Sequence, residues 1–489
     1  MPTTDPVPPH VTNFIDGRWV DSSVVGESTD PATGKAIGTF ADAQQEHVES
    51  AIDAARRAFA TGAWGRDRTT RSAALSAFAD RMFAHRDKLI ALLSRENGKI
   101  HSEAELEVDL SISKIRYYAA LALTESGRAA EVRAGLYSMT IRQPVGVAGV
   151  IAPWNSPVIL SIRSFVPALA AGCAVVVKLP AQTALTNALI FEIIGEVSEI
   201  PAGIFNGFTE SRGNGARLIS QSPDIDVVSY TGSTTVGRKI MEQASATLKP
   251  VSLELGGKTP MIVFDDADLD AAVPVLTKAV TTFTGQFCMT GSRILAQRGI
   301  ADELRTRMTE ALKQVRVGPG DDLTSEMGPM IDRTNAARVD LLVEDAAKYA
   351  TILVRGGVVT KGPLADGAFY RPSLVEVNEL DTPIVQQEVF GPVATFEVFD
   401  DESDAILRAN ATEFGLAAGI WTRDVDRPLR VGRELEAGTV WFNTWAIVVD
   451  QFEEGGFKQS GIGRLNGERA LEEFQEIKHL VHPAPRMNH

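Results

Sequence analysis

The sequence contains two cysteines, and their surroundings differ. Cys288 lies between Gly285 and Gly291, whose lack of a side chain lets backbone amides approach a substrate closely. A cysteine with a pKa of about 8.5 is partly ionised near neutrality, and its thiolate is a strong nucleophile. Cys173 precedes the apolar run at 174–177 and is interpreted as a core residue. A lone cysteine is more often a small buried side chain, but its setting makes Cys288 a candidate nucleophile.

A carboxylate and an amide occupy positions that would let them assist such a thiol. Glu254 follows the apolar run 251–253 and precedes two glycines, which places it at the C-terminal end of a predicted strand. Open α/β sheets bind ligands at that end, and a carboxylate there can act as a general base for water. Asn155 follows another predicted strand, and its amide can donate a hydrogen bond to an oxyanion. Taken alone, Glu254 is better explained as a helix cap or a surface acid, and Asn155 as a turn residue.

The distribution of histidine limits which metal sites and catalytic pairs the chain can form. The sequence has seven histidines, and none lies between residues 102 and 478. A histidine-ligated metal site or a cysteine–histidine pair would therefore need a histidine from one of the chain ends. Two cysteines also cannot form a four-thiolate zinc or iron–sulfur centre. No metal is expected, and the scarcity of histidine makes Glu254 more important as a base.

Two further positions suit a phosphate or ribose group. The sequence Thr231-Gly-Ser-Thr-Thr-Val-Gly237 joins a predicted strand to a predicted helix, and free amides at a helix N-terminus favour phosphate. Its spacing differs from G-x-G-x-x-G, so the signal is weak, and the same residues often serve only as a helix cap. Lys178 ends a predicted strand, where its ammonium could reach a ribose or phosphate, although most lysines are solvated surface residues.

The surrounding patterns predict an α/β fold. Helical periodicity extends over residues 46–122, after a hairpin at 14–20. Short apolar runs then alternate with helices, which indicates a parallel sheet covered on both faces. The predicted strands of this sheet are 145–152, 174–178, 204–208, 226–230 and 251–254. A second α/β series begins near Pro260, with strand candidates at 261–264, 294–296, 351–354 and 419–421. The cleft between two such lobes is the default place for a ligand.

Composition argues against several other classes of protein. Of 489 residues, 48 are Lys or Arg and 63 are Asp or Glu, which gives a formal charge of −15. Such a protein repels phosphate backbones, so nucleic-acid binding is disfavoured as its main role. The most apolar segment, 165–177, is shorter than the roughly 20 residues that a membrane span requires. Two cysteines cannot build a disulfide framework, and the N-terminus lacks a secretory signal, so a soluble cytoplasmic protein is expected.

In this order, the segments resemble the aldehyde dehydrogenase superfamily over nearly the whole chain. The motifs that carry the resemblance are Pro153-Trp-Asn155, Gly232-Ser-Thr-Thr-Val-Gly237, Leu253-Glu-Leu-Gly-Gly-Lys258, Phe283-Thr-Gly-Gln-Phe-Cys288, Glu388-Val-Phe-Gly-Pro392 and Gly455-Gly-Phe-Lys-Gln-Ser-Gly461. The resemblance implies an α/β fold with a Rossmann-like coenzyme domain, an α/β catalytic domain and a small bridging β element used for oligomerisation. The coenzyme domain would cover residues 1–122 and 145–256, the catalytic domain 257–460, and the bridging element 123–144 and 461–489. A homodimer or homotetramer is expected, since family members usually form one or the other.

The resemblance also implies roles for individual residues. Cys288 would be the nucleophile, Glu254 the general base, and Asn155 an oxyanion donor together with the Cys288 amide. The implied reaction oxidises an aldehyde with NAD or NADP through a thiohemiacetal and a thioester, which a water activated by Glu254 hydrolyses. The implied cofactor contacts are Pro153, Trp154, Lys178, Gly215, Gly232, Ser233, Gly237, Leu255, Glu388 and Phe390. Asn443 is expected to help shape the substrate site.

The sequence departs from the family pattern where specificity is decided. Ala181 stands where NAD-preferring members carry a glutamate that binds the adenosine ribose, so NADP use becomes plausible and dual use more so. Ser156 replaces a common aromatic residue, and Arg163 stands where relatives often have a bulky apolar residue. A wider, cationic entrance to the substrate tunnel would suit a polar, anionic or aromatic aldehyde, unless Arg163 pairs with a neighbouring acid. Trp445 is expected on an apolar tunnel wall, and Phe452-Glu-Glu-Gly455 also departs from the family pattern.

Two alternatives stay open at this level. A coenzyme-A-acylating relative would transfer the acyl group instead of hydrolysing it, but that branch usually lacks the acid found at Glu254. A catalytically silent relative would serve as a binding or structural protein. The presence of Cys288, Glu254 and Asn155 argues against that second alternative.

Overall fold

A computed structural model describes residues 10–124 and 126–484 of the chain. Residues 1–9, Glu125 and 485–489, which the domain prediction placed in the coenzyme domain and the bridging element, lie outside the described residues. Helices and strands alternate along the chain in several sheets, and the predicted mixed α/β fold is confirmed.

The first half of the chain builds the helical layer and the larger sheet. Its strands are β1 (His10–Val11), β2 (Asn13–Ile15), β3 (Arg18–Val20), β4 (Val25–Thr29), β5 (Ala36–Ala41), β6 (Ala129–Arg133), β7 (Leu136–Pro144), β8 (Val147–Ile151), β9 (Ala174–Pro180), β10 (Phe205–Glu210), β11 (Val227–Thr231) and β12 (Val251–Glu254). Its helices are α1 (Gln45–Thr61), α2 (Arg68–Ala84), α3 (Arg86–Asn97), α4 (His101–Thr124), α5 (Pro157–Ala171), α6 (Ala184–Gly195), α7 (Asn214–Gln221) and α8 (Thr234–Ala244).

The second half builds another α/β layer and returns to the first at its end. Its strands are β13 (Pro260–Val263), β14 (Arg293–Gln297), β15 (Thr351–Val354), β16 (Gly357–Val358), β17 (Tyr370–Arg371), β18 (Ser373–Glu376), β19 (Val393–Phe399), β20 (Phe414–Gly415), β21 (Ala417–Trp421), β22 (Thr439–Phe442), β23 (Phe457–Lys458), β24 (Gly461–Ile462) and β25 (Gln475–Pro483). Its helices are α9 (Leu269–Thr281), α10 (Ala301–Gln314), α11 (Arg333–Ala346), α12 (Pro383–Gln386), α13 (Glu402–Ala409), α14 (Arg427–Gly432) and α15 (Arg469–Glu472). Short 3₁₀ turns occupy Ala181–Thr183, Ser245–Thr247 and Thr282–Gly285.

Five parallel strands form the centre of the larger sheet, in the order β12-β11-β8-β9-β10. β24 pairs antiparallel with β12 at one edge, and the β2–β3 hairpin adds to β10 at the other. Every residue of β8 and β11 is buried, as is usual for parallel strands with helices on both faces. The chain passes from β8 to β9 and β10, then returns to β11 on the other side of β8. This reversal creates a crevice at the C-terminal ends of β8 and β11, where such sheets bind ligands.

The second sheet has the order β15-β18-β19-β14-β13-β21-β22, and all its strands are parallel except β15. A buried ion pair joins β14 to β19. Arg293 Nε and Nη2 donate to the Glu397 carboxylate at 2.8 and 2.7 Å, and neither side chain is exposed. Thr395 Oγ1 adds a third hydrogen bond to Glu397 at 2.9 Å. The charge of this pair is thus fully satisfied inside the sheet.

A third, smaller sheet has the order β25-β7-β6 and is antiparallel. Because β7 is central, the described chain leaves the outer edges of β25 and β6 without a strand partner. The residues of β25 after Gln475 are exposed, and they include the large apolar side chains of Ile477, Leu480 and Val481. No helix within residues 10–124 and 126–484 has both the length and the apolar character needed to cross a bilayer.

Glu397→Ala should destabilise the second sheet, because it leaves the Arg293 guanidinium buried without its counter-charge. Breaking a buried pair from one side typically costs about 3–5 kcal/mol. We expect the midpoint of thermal unfolding, followed by circular dichroism, to fall by roughly 5–10 °C. The control is Asp400→Ala, which removes the exposed pair with Arg298 and should change stability by less than about 1 kcal/mol. Equal midpoints for the two variants would contradict a stabilising role for the buried pair.

Candidate active site

The backbone just before Cys288 is held in an unusual conformation. Phe283, Thr284 and Gly285 have φ angles of 52°, 55° and 66°, a left-handed region that non-glycine residues rarely adopt. The Phe283 amide donates to the buried Glu103 carboxylate at 2.8 Å. Such local strain persists only where the surrounding structure imposes it, and it is common at functional sites. The loop that carries Cys288 is therefore tied to the helical layer through Glu103.

Cys288 is a half-buried free thiol in an apolar cluster that includes Leu416 and Trp441. Its carbonyl lies against Gly257, where an added Cβ would come within 2.3 Å of the oxygen. Burial raises the pKa of the Cys288 thiol to about 12, and nearby carboxylates reinforce the shift, whereas the Arg163 guanidinium opposes it. A cationic neighbour is therefore the main local factor that favours the thiolate.

Asn155 lies directly beside the cysteine loop. Its Nδ2 donates to the carbonyl of Gln286 at 3.0 Å, and its side chain is buried. Lys99 Nζ donates to the Asn155 carbonyl at 2.7 Å and to Ser156 Oγ at 2.8 Å, and it forms a buried ion pair with Glu107 at 2.7 Å. An amide nitrogen carries two hydrogens, so one N–H of Asn155 is still available to an oxyanion.

Glu254 ends β12 between two neighbouring strands. Its register partners are Thr231 on β11 and Gly461 on β24. The side chain is buried, and its Oε1 has no hydrogen-bond partner among the described residues. Burial raises the pKa of Glu254 to about 8, while Arg163 lowers it and Glu454 raises it further. The carboxyl group thus titrates near the pH range that suits a general base.

Arg163 is buried and ion-paired. Its Nη1 lies 2.5 Å from Glu454 Oε1, and its Nη2 donates to Thr231 Oγ1 at 3.3 Å. The sequence left two possibilities for Arg163, a cation that faces the substrate or a partner of a neighbouring acid, and the structure shows the pairing. Arg163 is therefore one member of a buried ion pair.

Four of the residues expected to contact the cofactor lie near the crevice. The rings of Trp154 and Phe390 meet edge to face, with centroids 5.6 Å apart. Pro153 and Trp154 are half-buried in the loop after β8. Glu388 accepts a hydrogen bond from the Gly257 amide at 3.1 Å, and burial raises the pKa of its carboxyl group to about 7. These residues connect the ends of β8 and β12 to the segment before β19.

The loop after β11 is closely packed against the end of β12. An added Cβ at Gly237 would lie 2.6 Å from Leu255, so glycine allows α8 to pack directly on that side chain. A side chain is also excluded at Gly232, because an added Cβ would lie 2.2 Å from the Tyr230 hydroxyl. Ser233 is exposed and caps α8 by accepting a hydrogen bond from the Val236 amide at 3.4 Å. The N-terminus of α8 therefore faces the crevice with an exposed hydroxyl group.

A second charged cluster lies at the ends of β9 and β10. The Lys178 ammonium makes no hydrogen bond with a described residue, and burial lowers its pKa, against the influence of Glu210 and Asp42. Glu210 is buried, with Oε1 accepting the Gly215 amide at 2.8 Å and Oε2 without a partner in the described chain. Ala181 follows in the 3₁₀ turn after β9 and supplies no carboxylate. The carboxylates that act on Lys178 are therefore those of Glu210 and Asp42, which lie outside β9 and the turn after it.

Asn443 and Trp445 have different surroundings. Asn443 exchanges two hydrogen bonds of 3.0 Å with the backbone of Thr422, so its amide fixes the end of β21. Trp445 Nε1 donates to the Met289 carbonyl at 2.9 Å, and its ring packs edge to face on Phe287 at 5.8 Å. Trp445 is thus adjacent to the cysteine loop, whereas the side chain of Asn443 is committed to the fold.

Sequence reasoning did not identify several charged residues of the site. Lys99, Glu103 and Glu107 recur every four residues and hold the Asn155 turn and the cysteine loop. The spacing of Glu103 and Glu107 is a signal, because side chains four apart share one helix face, whereas Lys99 precedes α4. Glu454 belongs to a segment noted only for its departure from the family pattern. Its pairing with Arg163 spans 291 positions and has no local signature.

The site is distinct from a cavity of about 1020 Å³ elsewhere in the fold. Its lining includes residues of the N-terminal strands, α3, α6 and the start of α4, among them His10, Leu92, Leu189 and His101. It contains none of the residues predicted for catalysis or cofactor binding.

Comparison with known proteins agrees with this geometry. The model of the aldehyde dehydrogenase family matches residues 19–480. The chain is 36% identical over 474 residues to betaine aldehyde dehydrogenase of Bacillus subtilis, with 96% of each chain covered. It is 36% identical over 476 residues to an NADP⁺-dependent succinate-semialdehyde dehydrogenase of Escherichia coli, again with 96% of each covered.

A crystal structure of betaine aldehyde dehydrogenase from Staphylococcus aureus in complex with NAD⁺ superimposes with a TM-score of 0.94 at 36% identity. The match covers 97% of this chain and 95% of that one. The fold along almost the whole chain is accounted for by this relationship. The chain belongs to the aldehyde dehydrogenase family.

Proposed function

We propose that the chain is an NAD(P)-dependent aldehyde dehydrogenase that releases a free carboxylic acid. The observation that carries the proposal is the convergence of three groups. Asn155 donates into the Cys288 loop, and Cys288 and Glu254 are both influenced by the same buried guanidinium of Arg163. A nucleophile, an oxyanion donor and a base are the groups that aldehyde oxidation through a thioester requires.

The first steps use Cys288 and Asn155. The Cys288 thiolate attacks the aldehyde carbon, an S–C bond forms, and the carbonyl oxygen becomes an alkoxide. The Asn155 amide and the Cys288 backbone N–H stabilise that oxygen, and one such donor typically contributes about 3 kcal/mol. The nicotinamide cofactor, when bound, supplies the hydride acceptor that the oxidation requires. The acyl group then remains on Cys288 as a thioester.

Glu254 completes the reaction. Its ionised carboxylate takes a proton from water, and the resulting hydroxide attacks the thioester carbon. The S–C bond breaks, the carboxylic acid leaves, and Cys288 is restored as a thiolate. This role supports hydrolysis over transfer to coenzyme A, because the base acts on water.

The crevice residues fit a dinucleotide. The Lys178 ammonium has no hydrogen bond of its own in the described chain, and we assign it together with Glu388 to the ribose hydroxyls. The exposed N-terminus of α8 at Ser233 suits the pyrophosphate. Ala181 removes one charge that would repel a 2′-phosphate, which supports use of both NAD and NADP. Glu210 leaves a nearby carboxylate that should still favour NAD.

The substrate class follows from the paired charges. Betaine aldehyde carries a quaternary ammonium group and succinate semialdehyde a carboxylate, so the two named relatives act on aldehydes of opposite charge. In this chain the Arg163 cation is paired with Glu454. We therefore favour a polar aldehyde with no requirement for a net charge.

A homodimer or homotetramer in the cytoplasm is the proposed assembly and location. The free edge and exposed apolar residues of β25 support self-association, because exposed edges readily pair with another strand. Both Cys173 and Cys288 are free thiols, which suits a reducing compartment.

Cys288→Ala should abolish aldehyde oxidation, and Glu254→Gln should block mainly the hydrolysis. Glutamine cannot accept the proton from water, so its thioester should accumulate. We expect a rapid burst of reduced cofactor, one equivalent per site, followed by turnover slowed by about 10²–10⁴-fold. Stopped-flow absorbance with a panel of aldehydes measures both phases. In the unsubstituted enzyme, hydrolysis should accelerate as pH rises through about 8, where Glu254 ionises.

Cys173→Ala is the matched control, since that thiol is buried in the core and should be dispensable. Product analysis with and without coenzyme A distinguishes hydrolysis of the thioester from acyl transfer to coenzyme A. Formation of acid only as a coenzyme A thioester would show that the chain belongs to the acylating branch instead.

Cofactor choice should respond in opposite directions to two substitutions. Ala181→Glu adds a carboxylate and should lower kcat/KM for NADP relative to NAD, whereas Glu210→Gln removes one and should raise that ratio. Like charges a few ångströms apart near a protein surface repel by about 4 kcal/mol, so changes of about tenfold or more are expected. Glutamine can still accept the Gly215 hydrogen bond, which preserves the α7 terminus. A strict NAD requirement in the unsubstituted enzyme would contradict the argument from Ala181.

Ile477→Glu combined with Val481→Glu should reduce the oligomeric state. Both residues lie on one face of β25 and are 62% and 54% exposed, so the added charges would prevent an apolar contact between subunits. Light scattering after size exclusion measures the mass. Leu323→Glu, at another exposed apolar position, is the control and should leave the mass unchanged. A double variant with unaltered mass would move the interface elsewhere.

A further inference from the structure

One ion pair lies beside the strand that pairs with the end of β12, where Glu254 stands. Arg163 on α5 donates through Nη2 to Thr231, the register partner of Glu254 on β11. Glu454 exchanges backbone hydrogen bonds of 2.8 and 2.9 Å with Leu465, in the segment that includes the other register partner, Gly461. The hydrogen bond to Thr231 therefore places the Arg163 guanidinium beside the strand neighbour of Glu254.

The pair is buried but incompletely satisfied. Arg163 Nε and Glu254 Oε1 are both buried and both lack a hydrogen-bond partner among the described residues. Little water is present to screen the charges of a buried ion pair, so each of them acts on the groups around it. The guanidinium can thus influence neighbouring groups that it does not touch.

The charged groups around the two reactive residues are few. Arg163, Glu454 and Arg464 act on Glu254. Arg163, Glu388, Glu454 and Glu254 itself act on Cys288. Among these neighbours, Arg163 has the largest effect on each reactive group, and it favours the anion in both cases.

We propose that Arg163 and Glu454 are positioning residues that together set how readily Cys288 and Glu254 ionise. Arg163 favours the anionic form of both groups, and Glu454 limits that effect. The proposal rests on the proposed reaction for the role of Glu254, but its statement about Cys288 concerns the thiol alone.

Stability alone does not explain the pair. Replacing a buried ion pair by apolar residues of similar volume is often neutral or stabilising. The pair also lies deeper than an exposed surface bridge, with both side chains less than a tenth exposed. An effect on the adjacent reactive groups supplies a reason for charges at these positions.

The test is the pH dependence of two measurements. The first is alkylation of Cys288 by iodoacetamide, followed by peptide mass spectrometry, with the buried Cys173 as an internal control. The second is turnover limited by thioester hydrolysis. The variants are Arg163→Met, Arg163→Lys and Glu454→Gln, each measured in the full-length enzyme.

Arg163→Met should move both pH profiles to higher pH, by about one unit, because an adjacent opposite charge is lost. Glu454→Gln should move both to lower pH, since the remaining Arg163 charge is no longer opposed. Arg163→Lys should stay near the unsubstituted enzyme, because it retains the cation. A purely structural role would not produce shifts of opposite sign.

Arg163→Met leaves the Glu454 carboxylate buried without its counter-charge and can prevent folding. The double variant Arg163→Met with Glu454→Met avoids that, and its profiles should still move to higher pH, because the Arg163 effect is the larger. Profiles that stay fixed in every folded variant, or that move the same way in both single variants, would overturn the proposal. A change confined to KM would do the same, because it would indicate a substrate contact.

The two measurements separate this proposal from the proposed function. If the unsubstituted enzyme oxidises no aldehyde, the function is wrong, and the alkylation profiles alone decide the effect of Arg163 on Cys288. If aldehydes are oxidised but neither profile moves, only the ion-pair proposal fails.

Discussion

In the proposed reaction, two groups that share one buried site must each become anionic, and the rest of the structure has to accommodate this constraint. Burial raises the pKa of Cys288 to about 12 and that of Glu254 to about 8. Each charge also opposes the other. The conflict is eased by the order of the reaction, because Cys288 carries no charge once it holds an acyl group. Glu254 can then ionise more readily at the step that needs it. A buried cation near both groups, Arg163, serves the first step without preventing the second.

The fold meets this constraint by joining elements from two sheets. Asn155 follows β8, Glu254 ends β12, and Cys288 precedes β14. The crevice arises because the chain reverses direction about β8, so strand ends that are distant in sequence become neighbours. The Lys99–Glu107 pair and Glu103 then fix the Asn155 turn and the cysteine loop from the helical layer. The reactive groups are thus held by the rigid parts of the fold.

Local patterns in the sequence predicted the hairpin, the helical region and the five central strands of the larger sheet, because their apolar periodicity is strong. They missed β18, β19 and β22 in the second sheet. β19 contains Thr395 and Glu397, polar residues that are buried only because Arg293 supplies a partner from β14. The motifs identified Cys288, Glu254 and Asn155 as candidates for the site. They could not predict the Arg163–Glu454 pair, because a contact across 291 positions depends on the tertiary fold.

The two buried arginine–glutamate pairs show why burial alone does not define a role. Arg293 binds Glu397 through two parallel hydrogen bonds and also donates to the Arg408 carbonyl at 2.8 Å, so its charge is neutralised where it lies. Arg163 makes one short contact with Glu454, donates weakly to Thr231, and leaves Nε unsatisfied. What separates the two pairs is therefore their location. The first joins two strands of the second sheet, whereas in the proposed reaction the second lies near a thiol and a carboxylate that have to ionise in turn.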